Sequence, residues 1–66
     1  MYIMFRVIES GDIECHQVSH WIVHKDGIDV WTLDDDLLEY RKGRATYLGY
    51  EVEVLEMVPD ARRFVK

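Results

Sequence analysis

Residues 20–33, HWIVHKDGIDVWTL, constrain the fold more than any other segment of the chain. They place Asp26-Gly27 between two runs that are rich in β-branched residues and that each contain a tryptophan. A two-residue Asp-Gly loop suits the type I′ turn of a β-hairpin, because both central residues of that turn need φ > 0. The segment therefore predicts a hairpin in which residues 23 and 30 pair, as do 22 and 31.

A helix over residues 13–25 is the alternative. Asp12 is a suitable N-cap, and Gly27 suits the position that follows the end of a helix. The apolar stripe of that helix would consist of Cys15, Val18, Trp21 and Ile22. The alternating, β-branched runs favour the hairpin, and the helix stays open from the sequence alone.

The flanking segments predict two more strands and a short helix. Residues 2–9 alternate between apolar and other side chains, and so do residues 45–57 until a bulge near Leu55 or Glu56. Between 33 and 42, acidic residues come first, basic residues last and Gly43 follows, which is typical of a short helix. The predicted fold class is α+β and mostly β: a small antiparallel sheet of about four strands (2–9, 13–25, 28–33 and 45–57) with one helix at about 33–42. Barrel-like closure of the sheet is an alternative.

The small size of the chain favours a second subunit. We predict one globular domain over 1–58 and a basic C-terminal tail over 59–66, docked or frayed. A chain of 66 residues buries only about 60 % of its surface, and a single cysteine, Cys15, excludes an internal disulfide. Since one helix and four strands cover only one face of the hairpin, we expect a homodimer. The predicted interface consists of Trp21, Val23, Ile28, Val30 and Trp31.

Charge is uneven along the chain. The formal net charge is −5, and residues 9–39 hold nine acids against one base, Lys25. Such an acidic surface opposes direct nucleic-acid binding and favours a basic protein partner. The candidate partner-binding residues are Asp34, Asp35, Asp36, Glu39, Glu51 and Glu53. No segment approaches the roughly 20 apolar residues of a membrane helix, so we expect no membrane partner and a cytoplasmic protein.

Three histidines, His16, His20 and His24, are spaced four residues apart. On a helix, neighbours would lie close enough to share a zinc ion. On a strand they share a face but lie roughly 13 Å apart, which is too far for one ion. We therefore predict no metal site, and we expect His24 to lie opposite Asp29. A metal- or pH-responsive regulator that uses the histidines is an alternative function.

The chain lacks the Gly-rich phosphate loop, HExxH, paired CxxC and G-x-S-x-G motifs. We therefore predict no enzymatic activity and no cofactor. The predicted function is a small, acidic, non-catalytic protein-interaction or inhibitory module of a kind that bacterial and phage genomes encode. A second alternative is mimicry of nucleic acid, because Glu51 and Glu53 on a strand lie about 7 Å apart, close to the spacing of phosphates.

Overall fold

Six antiparallel strands form the protein in a computed structural model that describes residues 1–58. They are β1 (Tyr2–Val7), β2 (Ile13–His24), β3 (Gly27–Thr32), β4 (Leu37–Arg41), β5 (Arg44–Tyr47) and β6 (Tyr50–Val58). Each strand pairs with the next, and β6 returns to pair with β1, so the sheet closes into a barrel. The prediction of a mostly antiparallel β structure is confirmed, and the closure takes the barrel-like form. The predicted tail at 59–66 lies outside the described residues.

The core fills the inside of the barrel with side chains from all six strands. Alternate residues of each strand point inward, as the pleat of a β-strand requires. The cluster consists of Ile3, Phe5, Val18, Val30, Leu38, Ala45, Tyr47 and Val52. Closure turns the two walls of the sheet into one enclosed core, so the chain needs no covering helix for its inner face.

The predicted hairpin of β2 and β3 is confirmed, and the alternative helix over 13–25 is wrong. The loop of this hairpin is Lys25-Asp26 rather than the predicted Asp26-Gly27, because His24 pairs with Gly27. Val23 consequently pairs with residue 28 instead of residue 30. Between His20 and Trp31, a shift of two positions leaves each side chain on the same face as in the predicted register, since the pleat repeats every two residues.

Gly27 is required for space and not for positive φ. It is absent from the residues of positive φ, so the predicted type I′ turn at Asp26-Gly27 is wrong. A Cβ at Gly27 would collide with the carbonyl oxygen of Tyr40 on β4. The glycine allows β4 to approach β3 closely at this point.

The helix predicted at 33–42 is wrong: residues 33–36 form a loop, and β4 follows. The hydroxyl Oγ1 of Thr32 accepts hydrogen bonds from the amides of Asp34 at 3.2 Å and Asp36 at 3.3 Å, and Asp35 has φ 63°. A threonine before acidic residues caps a helix or closes a turn with similar local bonds. Here β4 is needed between β3 and β5 to close the barrel, and its Leu38 is buried. Within residues 1–58 there is no helix long and apolar enough to cross a membrane.

The strand predicted at 45–57 is instead a hairpin, β5–β6, with Leu48-Gly49 as its turn. These two residues have φ 51° and 84°, and Lys42-Gly43 between β4 and β5 have φ 52° and 82°. Positive φ at both central residues defines the type I′ turn. The predicted bulge in β6 is confirmed, because Leu55 is the extra residue between Val54 and Glu56 in the pairing with β1.

A second bulge lies in β2 at Ser19. Val18 pairs with Thr32, but His20 pairs with Trp31, so Ser19 has no opposite residue on β3. The extra residue reverses the alternation along the strand. Val18 therefore points into the core, whereas Trp31 lies on the outer face of the barrel.

Candidate binding site at the acidic end of the barrel

The order of the strands collects three loops at one end of the barrel. Consecutive antiparallel strands reverse direction, so the loops 8–12, 33–36 and 48–49 lie at the same end. We call this the acidic end, because these loops contain five carboxylates and neither Lys nor Arg. Its loop acids are Glu9, Asp12, Asp34, Asp35 and Asp36. The turns at the opposite end, 25–26 and 42–43, contain Lys25, Asp26 and Lys42.

Tyr47 connects the acidic end to the core. Its ring packs against Phe5 at a centroid distance of 4.8 Å, and its hydroxyl donates to Asp36 Oδ2 at 3.1 Å. Burial, and then the hydrogen bond to Asp36, raises the pKa of Tyr47 to about 12, and the charges of Glu14 and Asp34 add to the effect. The phenol therefore stays protonated at neutral pH and holds the β3–β4 loop against the barrel.

Glu14 and His16 lie side by side on the inner face of β2. Residues two apart on a strand share a face, and His16 Nε2 lies 2.8 Å from Glu14 Oε1. The imidazole stacks on Phe5 at 5.5 Å with an interplanar angle of 11°. The carboxylate of Glu14 is thus held at the mouth of the barrel, where it is partly exposed to solvent.

A cavity of about 420 Å³ opens beside Glu14. Its lining consists of Val7, Glu9, Ser10, Glu14 and Tyr50. Two carboxylates provide charge-assisted acceptors, and the ring of Tyr50, a residue that is 54 % exposed, provides an aromatic face for a cation. This combination of groups suits the side chain of an arginine or a lysine.

The predicted partner-binding residues fall into two groups. Asp34, Asp35 and Asp36 share one loop of the acidic end. Glu39, Glu51 and Glu53 are exposed residues on strands β4 and β6, outside the three loops of the acidic end. Glu53 is bridged to Arg6 at 3.0 Å, and Glu51 lies 3.9 Å from Arg44. The structure therefore brings only the three aspartates together.

Sequence reasoning missed several residues of this site: Glu9, Glu14, His16, Tyr47 and Tyr50. The spacing of Glu14 and His16 carried a usable signal, because residues i and i+2 of a predicted strand share a face. Tyr47 and Tyr50 had no such signal, since Tyr47 meets Phe5, and Tyr50 meets the 8–12 loop, only through closure of the barrel.

The three spaced histidines have three different environments. His16 lies inside the barrel, whereas His20 stacks on Trp31 at 4.6 Å on the outside. The prediction that they share a face is wrong, because the bulge at Ser19 lies between His16 and His20. Within residues 1–58 no group of three His, Cys, Asp or Glu side chains is arranged to hold a metal ion.

His24 contacts Asp29, but the prediction that the two residues lie directly opposite each other is wrong. His24 Nε2 lies 2.7 Å from Asp29 Oδ2 as a diagonal pair, since Ile22 is the residue directly opposite Asp29. Arg41 binds the other carboxylate oxygen at 2.7 Å. The hydrogen bond from His24, together with Arg41, lowers the pKa of Asp29. The carboxylate of Asp29 is therefore neutralised locally on the outer face of the hairpin.

The residues of the predicted oligomer interface lie in different environments. Val30 is buried in the core, and Ile28 packs against the core, so these two residues do not form a free surface. Trp31 lies on the outer face against His20. Trp21 and Val23 stay 46 % and 72 % exposed near the end of the hairpin.

Comparisons of the chain with protein-family models, with curated proteins and with solved structures find no match.

Proposed function

We propose that this protein is a small non-catalytic interaction module that binds a basic protein partner through its acidic end. The observation that carries the proposal is the charge of the three loops there, which contain five carboxylates and no base. A surface of one sign attracts a partner of the opposite sign and accelerates the encounter. When such a module covers the basic functional surface of another protein, it inhibits that protein.

The cavity beside Glu14 gives this attraction a point of contact. Glu9 and Glu14 accept hydrogen bonds from a guanidinium or ammonium group, while the ring of Tyr50 covers its apolar stem or faces its charge. We therefore expect one arginine or lysine side chain of the partner to enter the cavity. Other basic residues of the partner would contact the 33–36 loop.

A non-catalytic role is supported by the chemistry of the groups at this end. Tyr47, with its pKa raised to about 12, neither accepts nor releases a proton near neutral pH. Asp36 accepts a hydrogen bond from the hydroxyl of Tyr47, and Glu14 is hydrogen-bonded to His16. These hydrogen bonds hold the loops in place.

Mimicry of nucleic acid receives less support than binding through the acidic end. Glu51 and Glu53 share one face of β6, but each lies beside an arginine of a neighbouring strand, Arg44 and Arg6 respectively. These bases offset the charge that a row of phosphates would present.

An NMR titration tests the proposal with a blocked Gly-Arg-Gly peptide at low salt. A matched peptide with citrulline, which has nearly the same shape and no charge, serves as the ligand control. We expect the arginine peptide to shift the amide signals of Glu9, Glu14 and Tyr50, and we expect added salt to weaken the effect. Equal shifts with both peptides, or shifts confined to other residues, would contradict the proposal.

Two double variants separate a specific site from general attraction to an acidic protein. Glu9→Gln with Glu14→Gln and Glu39→Gln with Glu51→Gln each change the net charge from −5 to −3, since each replaces two of the 13 acids. Only the first pair lines the cavity. We expect the first variant to lose most of the binding and the second to keep most of it.

A further inference from the structure

The β2–β3 hairpin extends beyond the strand that covers β2 on its other side. β1 pairs with β2 up to Gln17, and the amide of Val18 donates to the carbonyl of Met1 at 2.7 Å. Within residues 1–58, no strand pairs with this side of β2 over residues 19–24. This edge lies at the end of the barrel opposite to the acidic end.

The alternation of the ladder determines which backbone groups face this edge. His24 closes the two-residue loop against Gly27, and the closing pair of such a hairpin is bonded across the two strands. Every second residue then bonds to β3, and Trp21 and Val23 direct their N–H and C=O groups away from it. The edge therefore offers two donors and two acceptors.

The side chains along this edge are apolar on both faces. Trp21 and Val23 lie on one face, Ile22 lies on the other, and all three are 46–72 % exposed. Natural edge strands usually carry lysine, proline or an inward-pointing charge that prevents pairing with another chain. Residues 19–23 have no such protection, because their sequence is SHWIV.

We propose that this edge pairs with the same edge of a second copy of the chain, antiparallel about a two-fold axis at Ile22. In that register Trp21 of each copy pairs with Val23 of the other, and all four free backbone groups of each copy gain partners. Trp21 packs on Val23 on one face, and the two Ile22 side chains meet on the other face. The two β2–β3 hairpins become one continuous four-stranded sheet.

A second copy fits this edge because each copy offers the donors, acceptors and apolar side chains that the other requires, and because the segment carries no carboxylate. Two chains of net charge −5 repel each other, but their acidic ends lie at the far ends of the assembly, and the barrel has a longest extent of 34 Å. Taking about 200 Å² for each large side chain, Trp21, Ile22 and Val23 leave roughly 300 Å² uncovered per copy. Two copies then bury roughly 600 Å² of side-chain surface, well below the about 1,200 Å² of a standard specific interface, so we expect a weak dimer that forms only toward millimolar concentration.

Sedimentation of the full chain from low micromolar to near-millimolar concentration tests the inference. We expect a monomer–dimer equilibrium that Val23→Lys shifts to monomer and that Leu33→Lys leaves unchanged. Both variants place one lysine at an exposed apolar residue, but Leu33 lies at the acidic end. A dimer that survives Val23→Lys, or one that Leu33→Lys dissociates, would overturn the inference.

Hydrogen exchange of single amides tests the register. We expect the amides of Trp21 and Val23 to exchange rapidly in dilute solution and more slowly as the concentration rises. A monomer at every concentration would overturn the inference, and protected Trp21 and Val23 amides in that monomer would show that the chain covers its own edge. Because Glu9→Gln with Glu14→Gln leaves this edge intact, dimerisation and peptide binding succeed or fail independently.

Discussion

Replacement of Gly27 by alanine tests how closely β3 and β4 approach each other. The added Cβ would collide with the carbonyl oxygen of Tyr40. The same Cβ would lie 2.8 Å from the carbonyl carbon of Tyr40 and 3.1 Å from Cδ of Arg41. Two of these atoms belong to the backbone, so a change of rotamer cannot relieve the contact. The strands must separate where Gly27 pairs with Arg41.

The magnitude follows from two opposing effects. Overpacking against a fixed neighbour costs about 1–3 kcal/mol. The loss of glycine flexibility in the unfolded chain returns about 0.4–1 kcal/mol. We therefore expect Gly27→Ala to lower the free energy of unfolding by about 1–2 kcal/mol. For a domain of this size the melting temperature then falls by roughly 5–15 °C.

Urea denaturation followed by far-UV circular dichroism measures the change, at one protein concentration for all variants. Gly43 is the matched control, because its φ is 82° and a Cβ there meets no atom within 4 Å. At Gly43, asparagine should be better tolerated than alanine, since it adopts the left-handed conformation more readily. At Gly27, asparagine should destabilise at least as much as alanine. A milder effect of Gly27→Asn than of Gly27→Ala would refute the steric explanation.

Two further predictions concern the β5–β6 turn and the tyrosine before it. Leu48 has φ 51° and is 57 % exposed, so Leu48→Asn should raise the free energy of unfolding by about 1 kcal/mol; thermal melts showing no gain would contradict this. Because the pKa of Tyr47 is raised from 10.0 to about 12 in the folded protein, the unfolded chain loses the phenol proton first as pH rises. Stability should therefore fall between about pH 10 and 12, and Tyr47→Phe should flatten that fall in urea titrations; an unchanged slope would contradict the assignment.

Local patterns predicted the parts of the fold that depend on neighbouring residues. The alternation in β1, β2 and β6 predicted strands, and the break at Leu55 predicted the bulge there. The Asp-Gly pair located the first hairpin to within one residue. The turns Lys42-Gly43 and Leu48-Gly49 could have been predicted in the same way, since each pairs a residue with a following glycine. They were missed because Gly43 also suits the end of a helix and Gly49 fits an alternating strand.

The candidate site was harder to predict, because its residues come from separate segments. The aspartates 34–36 were identified from charge, but the same threonine and acids suited both a helix start and a turn. Their neighbours Glu14 and Tyr47 lie far from them in the sequence. Ser19 has no local signature of a bulge, so the separation of His16 from His20 was not predictable.

The sequence by itself determined that this protein is a small, acidic, mostly β chain with a Trp-containing hairpin. Those properties follow from composition and from a side-chain period of two, which act within a few residues. Only the tertiary structure decided that residues 37–41 form a strand, that the sheet closes and that three acidic or neutral loops meet at one end. The reason is that closure depends on the pairing of β1 with β6, about 50 residues apart along the chain, and a long-range pairing leaves no periodic trace in either segment.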